Sequence, residues 1–359
     1  MKYKTSELRK QPDGIFILPT LTAGIDNQGL NNYVPIEGAT ILQNVISISA
    51  NGANTGVTFF QSKKFTILQD AYAIDWKNNS RIFTRHSGVF IASVINSVLH
   101  GKYEWTNKAN WTKVKEEYIT LPTTNKDIDF DFMESFIAEL EAERIAELSA
   151  YLKVSGLDNY ELSDEELKAL RDYDSMEWRE YKLGELFEVK TYKKRFDANK
   201  VTLVSKGGSP YVVRKSTENG IKGFISEDDS YLNEGNTISF GQDTATSFYQ
   251  EQPYFTGDKI KILKAKFNGF NKENAQFFVS AITRSFSKFS WGSSSYSVDI
   301  ISNQKLALPV LNNEIAIKYI EVISKAISKL TIKDVVQYTD KRIEATKTVV
   351  AEHQKEESV

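Results

Sequence analysis

Tyr181-Lys182-Leu183-Gly184-Glu185-Leu186, in the middle of the chain, matches the opening stretch Tyr3-Lys4-Thr5-Ser6-Glu7-Leu8. The similarity continues from these two starting points through residues 1–137 and 179–323. A repeat of this length is typical of a duplicated domain, because the units of a solenoid are only about 20 to 45 residues long. The chain is therefore expected to contain two copies of one fold.

Two later landmarks recur in the same order. Ile46-Ser47-Ile48 precedes an Asn/Gly-rich loop in the first copy, as Ile238-Ser239-Phe240 precedes a Gly/Thr-rich loop in the second. Each copy then closes on a Leu-Pro pair, at Leu121-Pro122 and at Leu308-Pro309, and a helical pattern follows. The offset between the copies changes along the chain, as expected when loops gain and lose residues while the scaffold is retained. Two equivalent domains at a fixed spacing suit a target with two parts.

The composition is that of a globular protein. Of 359 residues, 41% are hydrophobic and 26% are charged, which is enough for two cores of ordinary size. The chain has no cysteine, which excludes disulfides, and its three histidines are widely separated, which disfavours a zinc site or a histidine general base. No apolar run approaches the roughly 20 residues that are needed to span a bilayer. The first residues also lack the apolar core of a signal peptide. We expect a cytoplasmic protein without a membrane partner.

The net charge of −2 conceals a strong pattern along the chain. Residues 1–126 and residues 179–312 each carry an excess of five basic residues, whereas residues 127–178 carry an excess of twelve acidic ones. Residues 313–359 are balanced. The acidic segment is either a solvated helical spacer or a contact for a partner, and the basic domains suit an anionic target. Charge alone does not decide between these interpretations.

Within each copy, short strands and one helix are predicted, which makes both domains α+β. Asn-Gly and Gly-Gly pairs mark the turns, where a positive φ favours glycine or asparagine. The predicted helices are Val89–Leu99 in the first copy and Lys272–Phe286 in the second. The predicted strands have alternating or β-branched residues and cover 40–49, 56–60, 65–74, 211–214 and 255–263.

Two long helices are predicted, one after each domain. The first covers residues 129–152, which contain no glycine or proline, and the second begins after Asn313. Apolar residues of the second recur in alternating steps of four and three, a coiled-coil pattern, at Ala316, Ile320, Ile323, Ile327 and Leu330. Antiparallel pairing would bury both apolar stripes and relate the domains by a pseudo-two-fold axis. Ser163-Asp164-Glu165-Glu166 predicts a capping box and a further short helix ending near Asp172.

The order of domain, helix, domain, helix resembles the specificity subunits of type I restriction–modification systems over essentially the whole chain. The resemblance is carried by the stretch from Trp178 to Phe187 and by the two Leu-Pro pairs that lead into helices. It implies target-recognition domains at residues 1–126 and 179–312, each reading one half of a split sequence in double-stranded DNA. The residues between and after them, 127–178 and 313–359, would hold the connecting helices, the acidic linker and the tail.

The resemblance also implies partners. Two methyltransferase subunits would dock on the helices, and a restriction and translocation subunit would complete the complex. S-adenosylmethionine would be bound by the methyltransferase subunits, and no cofactor by this chain. One departure is the first domain's short lead: Leu8 reaches Gly14 almost at once, whereas about twenty residues separate Leu186 from Gly208. DNA contacts that family members make near the start of this domain are therefore harder to assign to residues of the first domain.

Polar side chains on the loops are the candidates for DNA contacts, because Asn or Gln can pair with adenine and Arg or Lys with guanine. The first-domain candidates are Asn51, Asn54, Lys63, Lys64, Tyr103, Trp105, Asn107 and Lys108. The second-domain candidates are Lys193, Lys194, Arg195, Arg214, Lys215, Gln242, Thr244, Thr246, Trp291, Ser293, Ser294 and Ser295. Alternative roles are turn formation for the Asn, Ser and Thr residues, packing for the tryptophans, and a solvated charge run for residues 193–195.

Catalytic motifs are missing from the sequence. It has no Asn/Asp-Pro-Pro-Tyr loop with a glycine-rich cofactor turn, as an amino-methylating enzyme would need, and no phosphate-binding loop. We therefore expect a non-catalytic subunit with no bound metal. The alternative from another class is a duplicated β-rich module that binds carbohydrate or protein ligands, such as a phage or surface adhesin. The coiled-coil pattern and the missing secretion signal disfavour it.

Overall fold

The computed structural model describes residues 7–77, 82–287 and 296–356, with side chains described up to residue 347. The chain forms two compact units. The first unit contains residues 1–150 and 339–359, and the second contains residues 151–338. No helix in the described residues combines the length and apolar character needed to cross a membrane.

The first unit is built from short strands around one helix. Its strands are β1 (Phe16–Leu21), β2 (Leu30–Pro35), β3 (Val45–Ser49), β4 (Thr58–Gln61), β5 (Thr66–Ile67), β6 (Ala71–Ile74), β7 (Thr123–Thr124) and β8 (Asp127–Ile128). Its helices are α1 (Arg85–Leu99), α2 (Trp111–Val114) and α3 (Phe130–Val154), the last of which ends in the second unit. The strands form sheets in the orders β2-β1-β5 and β4-β3-β6, with β7-β8 as a separate pair.

The second unit repeats this plan with added strands. Its helices are α4 (Asp164–Asp172), α5 (Leu183–Leu186), α6 (Lys272–Phe286), α7 (Val298–Ser302) and α8 (Ile317–Glu356), the last of which ends in the first unit. Its strands are β9 (Glu177–Lys182), β10 (Phe187–Thr191), β11 (Ser209–Val212), β12 (Ile221–Ile225), β13 (Thr237–Gly241), β14 (Ser247–Gln250), β15 (Phe255–Thr256), β16 (Ile260–Ala265), β17 (Lys305–Leu311) and β18 (Glu314–Ile315). The sheet orders are β12-β11-β15, β10-β16-β13-β14 and β18-β17-β9.

The two units share a strand topology that the sequence repeat predicts only in outline. β1 pairs antiparallel with β2 and parallel with β5, and β11 pairs in the same way with β12 and β15. A buried hydrogen bond is also duplicated: Gln61 Nε2 donates to Ser47 Oγ at 3.1 Å, and Gln250 Nε2 donates to Ser239 Oγ at 3.0 Å. Both units are therefore copies of one α+β scaffold.

One predicted strand in each copy is wrong. Residues 65–74 and 255–263 each form two short strands in different sheets, separated by a turn. The turn ends at Asp70 in the first unit and at Lys259 in the second, with φ of 66° and 57°. A left-handed residue interrupts the extended backbone, so the strand cannot continue through it. The other strands predicted in these domains are present with different bounds: β3 lies within residues 40–49, whereas β4 and β11 are shifted from the predicted residues 56–60 and 211–214.

Capping residues set the starts of the helices. α1 begins at Arg85, before the predicted Val89, because Thr84 and Ser87 form a reciprocal capping box. α6 has the predicted bounds and is capped by Asn271. The capping box predicted at Ser163 and Glu166 is present and starts α4.

Each unit has its own core, which lies between its helix and its central sheet. In the first unit Ile46 and Ile48 of β3 pack with Ile91 and Leu99 of α1. The larger core of the second unit is rich in aromatic rings: Phe187 makes edge-on contacts with Phe267, Phe270 and Phe278, and Phe270 makes another with Phe278. Edge-on packing of this kind stabilises a core beyond the area it buries.

The long helices bury only part of the apolar stripe predicted for them. Ala316, directly before α8, is buried, and so are Ile320 and Ile323 of α8, Ile320 in the main core of the second unit and Ile323 against Ala169 of α4. The side chains of Ile327 and Leu330 are exposed by 48% and 47%. The first half of α8 therefore packs against its own unit.

Candidate nucleic-acid interface

Several loops of the second unit, together with strand β12, surround an open cavity of about 610 Å³. It is lined by Arg195, Asp197, Ala198, Asn199, Val213, Arg214, Lys222, Thr244 and Asp258. Three of the residues predicted from the sequence, Arg195, Arg214 and Thr244, thus come together although they are distant in the chain. Lys222 and the two aspartates were missed, because only the fold brings them to the same place.

Each of these loops is anchored to the scaffold. The loop at residues 193–199 is held by Tyr211, whose hydroxyl donates to the Phe196 carbonyl at 2.7 Å. Burial, with a contribution from Asp197, raises the pKa of Tyr211 to about 12, so this hydroxyl stays a donor at neutral pH. The loop at residues 241–246 is tied back by Gln242 N, which donates to the Lys259 carbonyl at 2.9 Å. The cavity is therefore a fixed feature of the second unit.

Arg214 is the most tightly organised cation of the cavity. Its guanidinium forms an ion pair with Asp243, and Asp243 accepts a second bond from Lys259 Nζ at 2.9 Å. The side chains of Arg214 and Asp243 are exposed by 34% and 24%, so this network is partly shielded from water. Arg195 is held more loosely, at 3.5 Å from Asp258, with more than half of its side chain exposed. Such an exposed pair contributes little to stability.

The two lysines beside Arg195 already have protein partners. Lys193 Nζ donates to the Ser230 carbonyl at 3.3 Å. Lys194 Nζ lies 4.9 Å from the ring centroid of Phe196 and 4.2 Å from that of Tyr231, which are cation–π distances. Lys193 and Lys194 are exposed, so they can still reach a phosphate, and that role stays a prediction.

The remaining second-unit candidates make local contacts. Lys215 forms an ion pair with Glu218 within its own loop. Gln242 Nε2 donates to the Tyr296 carbonyl at 2.7 Å, and the hydroxyls of Thr244 and Thr246 are 2.8 Å apart. The contact between Thr244 and Thr246 favours the alternative of turn formation for these two residues, and Gln242 is bound to the backbone. Trp291, Ser293, Ser294 and Ser295 lie outside the described residues.

In the first unit, the two loop asparagines are bound to the scaffold. Asn51 Nδ2 donates to Asp70 Oδ1 at 2.9 Å, and Asn54 Nδ2 donates to the Ala23 carbonyl at 3.3 Å. A bidentate pair with adenine needs both the amide nitrogen and the amide oxygen. Asn51 and Asn54 would have to release these contacts to read a base, so the structure favours a loop-forming role for them. Their contact with DNA stays an untested prediction.

The other first-unit candidates, except Tyr103, are exposed. Lys63 and Lys64 follow β4, and Trp105 and Lys108 lie on the loop after α1, where the Trp105 side chain is 73% exposed. Packing as the role of Trp105 is therefore not favoured. Asn107 Oδ1 accepts a bond from Lys113 Nζ at 2.7 Å, which holds this loop against α2.

The start of the same loop is fixed by a buried tyrosine. The hydroxyl of Tyr103 donates to Glu117 at 2.6 Å. Burial, together with Glu117, raises the pKa of Tyr103 to about 12. Bonds from Lys102 and Tyr103 lower the pKa of the Glu117 carboxyl, which therefore stays charged at neutral pH. The loop thus presents Trp105 and Lys108 from a rigid base.

Among the residues that the structure describes, no three His, Cys, Asp or Glu side chains lie close enough together to hold a metal ion. The arrangement offers hydrogen-bond donors, cations and exposed aromatic surface. These are the groups that proteins use to bind nucleic acids.

Comparison with known proteins decides the family. Residues 2–150 and 175–338 each match the family described as the type I restriction modification DNA specificity domain. The chain belongs to this family. The resemblance identified in the sequence is therefore confirmed, with one DNA specificity domain in each half. A carbohydrate- or protein-binding module is not favoured, because both copies match this one family.

Two individual proteins show how far the similarity extends. S.BcgI, the specificity subunit of a type II restriction enzyme from Heyndrickxia coagulans, is 29% identical over 163 residues, which are 44% of this chain and 46% of that protein. The chain thus matches about half the length of this relative. The S subunit of a type I restriction–modification system from M. genitalium has a TM-score of 0.52 and 15% identity, covering 95% of this chain and 90% of that one. The structural similarity to this S subunit supports the fold described above.

Proposed function

We propose that the chain is the non-catalytic specificity subunit of a type I restriction–modification complex and reads a bipartite sequence in double-stranded DNA. Each unit would read one half of the target. The observation that carries this proposal is the duplicated scaffold with different chemistry at equivalent loop positions. Asn51 bonds Asp70 in the first unit, whereas Asp243 bonds Lys259 and Arg214 in the second. Two copies of one scaffold whose loops carry different residues suit a target with two different half-sites.

The connecting helices would set the spacing between the half-sites. We propose that α3 and α8 run antiparallel and relate the units by a pseudo-two-fold axis. Within the first unit, Arg342 Nη2 near the end of α8 lies 2.8 Å from Glu141 Oε2 of α3, which supports pairing of the two helices. The proposed domain bounds remain 1–126 and 179–312, with connecting segments 127–178 and 313–359.

Methyltransferase subunits would dock on the helices and supply the chemistry, binding S-adenosylmethionine themselves, and a restriction subunit would join them. An exposed aromatic ridge on the first unit supports a docked partner. Phe132 and Phe136 of α3 are exposed by 47% and 45%, and both rings contact Phe90 of α1. Exposed neighbouring rings of this kind are typical of protein–protein contacts. We name Phe90, Phe132 and Phe136 the aromatic ridge.

The second unit supports this interpretation of the aromatic ridge. α1 and α6 have the same length and are offset by 187 residues at both ends, which places Phe277 in the position of Phe90. The same offset places Tyr319 and Ile323 in the positions of Phe132 and Phe136. There α4 covers the equivalent surface: Phe277, Tyr319 and Ile323 cluster with Ala169. A helix thus covers this surface in one unit, and we propose that a helix of the methyltransferase subunit covers it in the other.

The α4 contact also bears on the acidic segment. Glu166 pairs with Lys329 at 2.8 Å, and the Tyr319 hydroxyl donates to the Ala169 carbonyl at 2.9 Å. Part of residues 153–178 is therefore bound to α8 of its own unit rather than fully solvated.

The proposed function is tested by DNA binding of the complex with its methyltransferase partner. Duplex DNA should bind with an affinity that falls steeply with salt, by roughly a thousandfold between about 50 and 200 mM if six or more phosphates are contacted. A complex that forms but binds duplex DNA with no salt dependence would refute DNA recognition. Failure of the two proteins to co-purify would refute the docking proposal.

A further inference from the structure

We infer that Arg214 reads a guanine in the half-site of the second unit, and that the cavity beside it receives the major-groove edge of that base. This inference rests on the proposed function and names a specificity-determining residue within it. The chemistry is a bidentate contact, in which two guanidinium N–H groups donate to the O6 and N7 atoms of guanine.

The position of Arg214 is defined by its loop. It lies two residues after β11, where Val213 N donates to the Gly220 carbonyl at 2.9 Å and closes the turn. The far end of the turn is fixed by Asn219: its Nδ2 donates to the Tyr249 carbonyl at 2.8 Å, and its carbonyl accepts from Gln250 Nε2 at 3.0 Å. The backbone that carries Arg214 is therefore attached to the central sheet.

The guanidinium itself is oriented by Asp243. The Oδ2 atom of Asp243 binds Nη1 of the guanidinium, and the same oxygen accepts a bond from Lys259 Nζ at 2.9 Å. A guanidinium has five N–H groups in a planar fork, so one carboxylate does not use all of them. Groups held in this way lose little conformational freedom on binding, which favours a specific contact.

The charge balance of the cavity favours a neutral base edge over a phosphate. Its lining cations are Arg195, Arg214 and Lys222, and its lining carboxylates are Asp197 and Asp258, with Asp243 behind Arg214. The cations have protein partners: Arg195 has Asp258, Arg214 has Asp243, and Lys222 Nζ donates to the Ala198 carbonyl at 2.8 Å. With Lys259, which also binds Asp243, the cations and carboxylates nearly balance. A phosphate would have to compete with these carboxylates for the cations, whereas guanine offers two neutral acceptors to the guanidinium N–H groups that Asp243 leaves unused.

The first unit has no arginine at the position equivalent to Arg214. Leu21 and Val212 occupy equivalent positions, since each ends a strand paired in parallel with β5 or β15. The residue two places further on is Ala23 in the first unit and Arg214 in the second. The proposed guanine reader is therefore specific to the second half-site.

The test is methylation mapping in cells that express the chain with its methyltransferase partner, comparing wild type with Arg214→Lys and Asp243→Asn. Lysine keeps the positive charge but lacks the planar fork. Arg214→Lys should relax one guanine position of the second half-site, reducing discrimination against other bases by roughly 5- to 150-fold, and leave the first half-site unchanged. Asp243→Asn should reduce discrimination at the same guanine position by a smaller factor than Arg214→Lys does. Arg284→Lys, an exposed arginine of α6, is the matched control and should leave the motif unchanged.

Three results would overturn the inference: a second half-site without guanine, an Arg214→Lys motif identical to wild type, or a uniform loss of methylation at all sites, as expected for a phosphate contact. Circular dichroism of the purified variants shows whether a uniform loss comes from unfolding. If Arg214→Lys is unfolded, the motif of Asp243→Asn is the test. Relaxed specificity at one guanine position supports the inference, and a motif identical to wild type contradicts it. If the wild-type complex methylates no split motif, the proposed function fails as well, and the two failures are thereby distinguished.

Discussion

Gln250 Nε2 donates to the carbonyl oxygen of Asn219 at 3.0 Å, and the same amide nitrogen donates to Ser239 Oγ at 3.0 Å. The first unit repeats both bonds from Gln61, whose Nε2 lies 3.0 Å from the Gln28 carbonyl. Gln28 and Asn219 both have positive φ, at 56° and 55°, so the bond fixes a turn that the backbone alone disfavours. This buried amide ties the turn before β2 or β12 to the central sheet, and in the second unit that turn carries Arg214.

Replacing this amide should destabilise each unit separately. Gln250→Leu keeps the approximate size of the side chain but leaves Ser239 Oγ and the Asn219 carbonyl without their donor. We expect a loss of about 2 kcal/mol in the free energy of unfolding, since each unsatisfied buried group costs about 1 to 3 kcal/mol. Urea denaturation measures it, and Gln61→Leu should behave alike. The control is Gln252→Leu, at an exposed position of the loop that follows β14. Equal stability of Gln250→Leu and wild type would show that the bond is not structural.

Close packing of α1 on β4 should make Gly88 irreplaceable. A Cβ atom at this position would lie 2.3 Å from Cδ2 of the buried Phe60 ring. Gly88→Ala should therefore destabilise the protein by about 1 to 3 kcal/mol, although alanine is the better helix former. Thermal unfolding measures the change. Ser93→Ala, on the exposed side of the same helix, is the matched control and should be neutral. An unchanged melting temperature for Gly88→Ala would contradict this packing.

Polar residues on the aromatic ridge should weaken docking without unfolding the chain. The double substitution Phe132→Ser and Phe136→Ser removes two exposed rings, and we expect the Kd for the methyltransferase subunit to rise at least roughly tenfold. Calorimetric titration of the two purified proteins measures it. Tyr118→Ser is the control, because its 93% exposed ring lies outside the aromatic ridge. Unchanged affinity in the double variant would place the docking surface elsewhere.

The ion pair between α4 and α8 should make stability depend on pH. Burial raises the pKa of Glu166, but bonds from Lys329 and from the Ser163 N–H outweigh burial and hold this pKa below its ordinary value of 4.5. A lowered folded-state pKa adds stability above pH 4.5, and this stability is lost as the pH falls through the folded-state pKa.

Glu166→Gln should therefore be less stable than wild type by about 1 to 3 kcal/mol at neutral pH, and the difference should shrink in acid. Unfolding free energies measured from about pH 7 to about pH 3 test this. Glu165→Gln, at the exposed neighbouring position, is the control and should show no such dependence. A difference between Glu166→Gln and wild type that stays constant with pH would contradict the linkage.

The repeat, the long helices, α6 and the cap of α4 could be predicted from the sequence, whereas the capping box that starts α1 at Arg85 was missed. The capping box at Ser163 and the bounds of α6 depend on neighbouring residues, and both are correct. The strand break at Asp70 and Lys259 could not be predicted, because a positive φ at these residue types has no strong sequence signal.

The candidate site was predictable only in part, since its geometry depends on distant pairs. Arg214 and Thr244 were predicted individually from their loops. Their common cavity, and the pairing of Arg214 with Asp243 across 29 positions, follow from the fold alone. The cover of Tyr319 by α4 likewise depends on a contact between residues that are 150 positions apart. Periodicity shows that a helix has an apolar face but does not identify what covers it.

The central claim is that each unit reads its own half of one DNA target. The most direct test is to map methylation genome-wide for the complex with its methyltransferase, and again after residues 179–312 are exchanged for the second domain of another family member. We predict a split motif in which only the second half changes after the exchange. A single continuous motif, or a change in both halves, would contradict it.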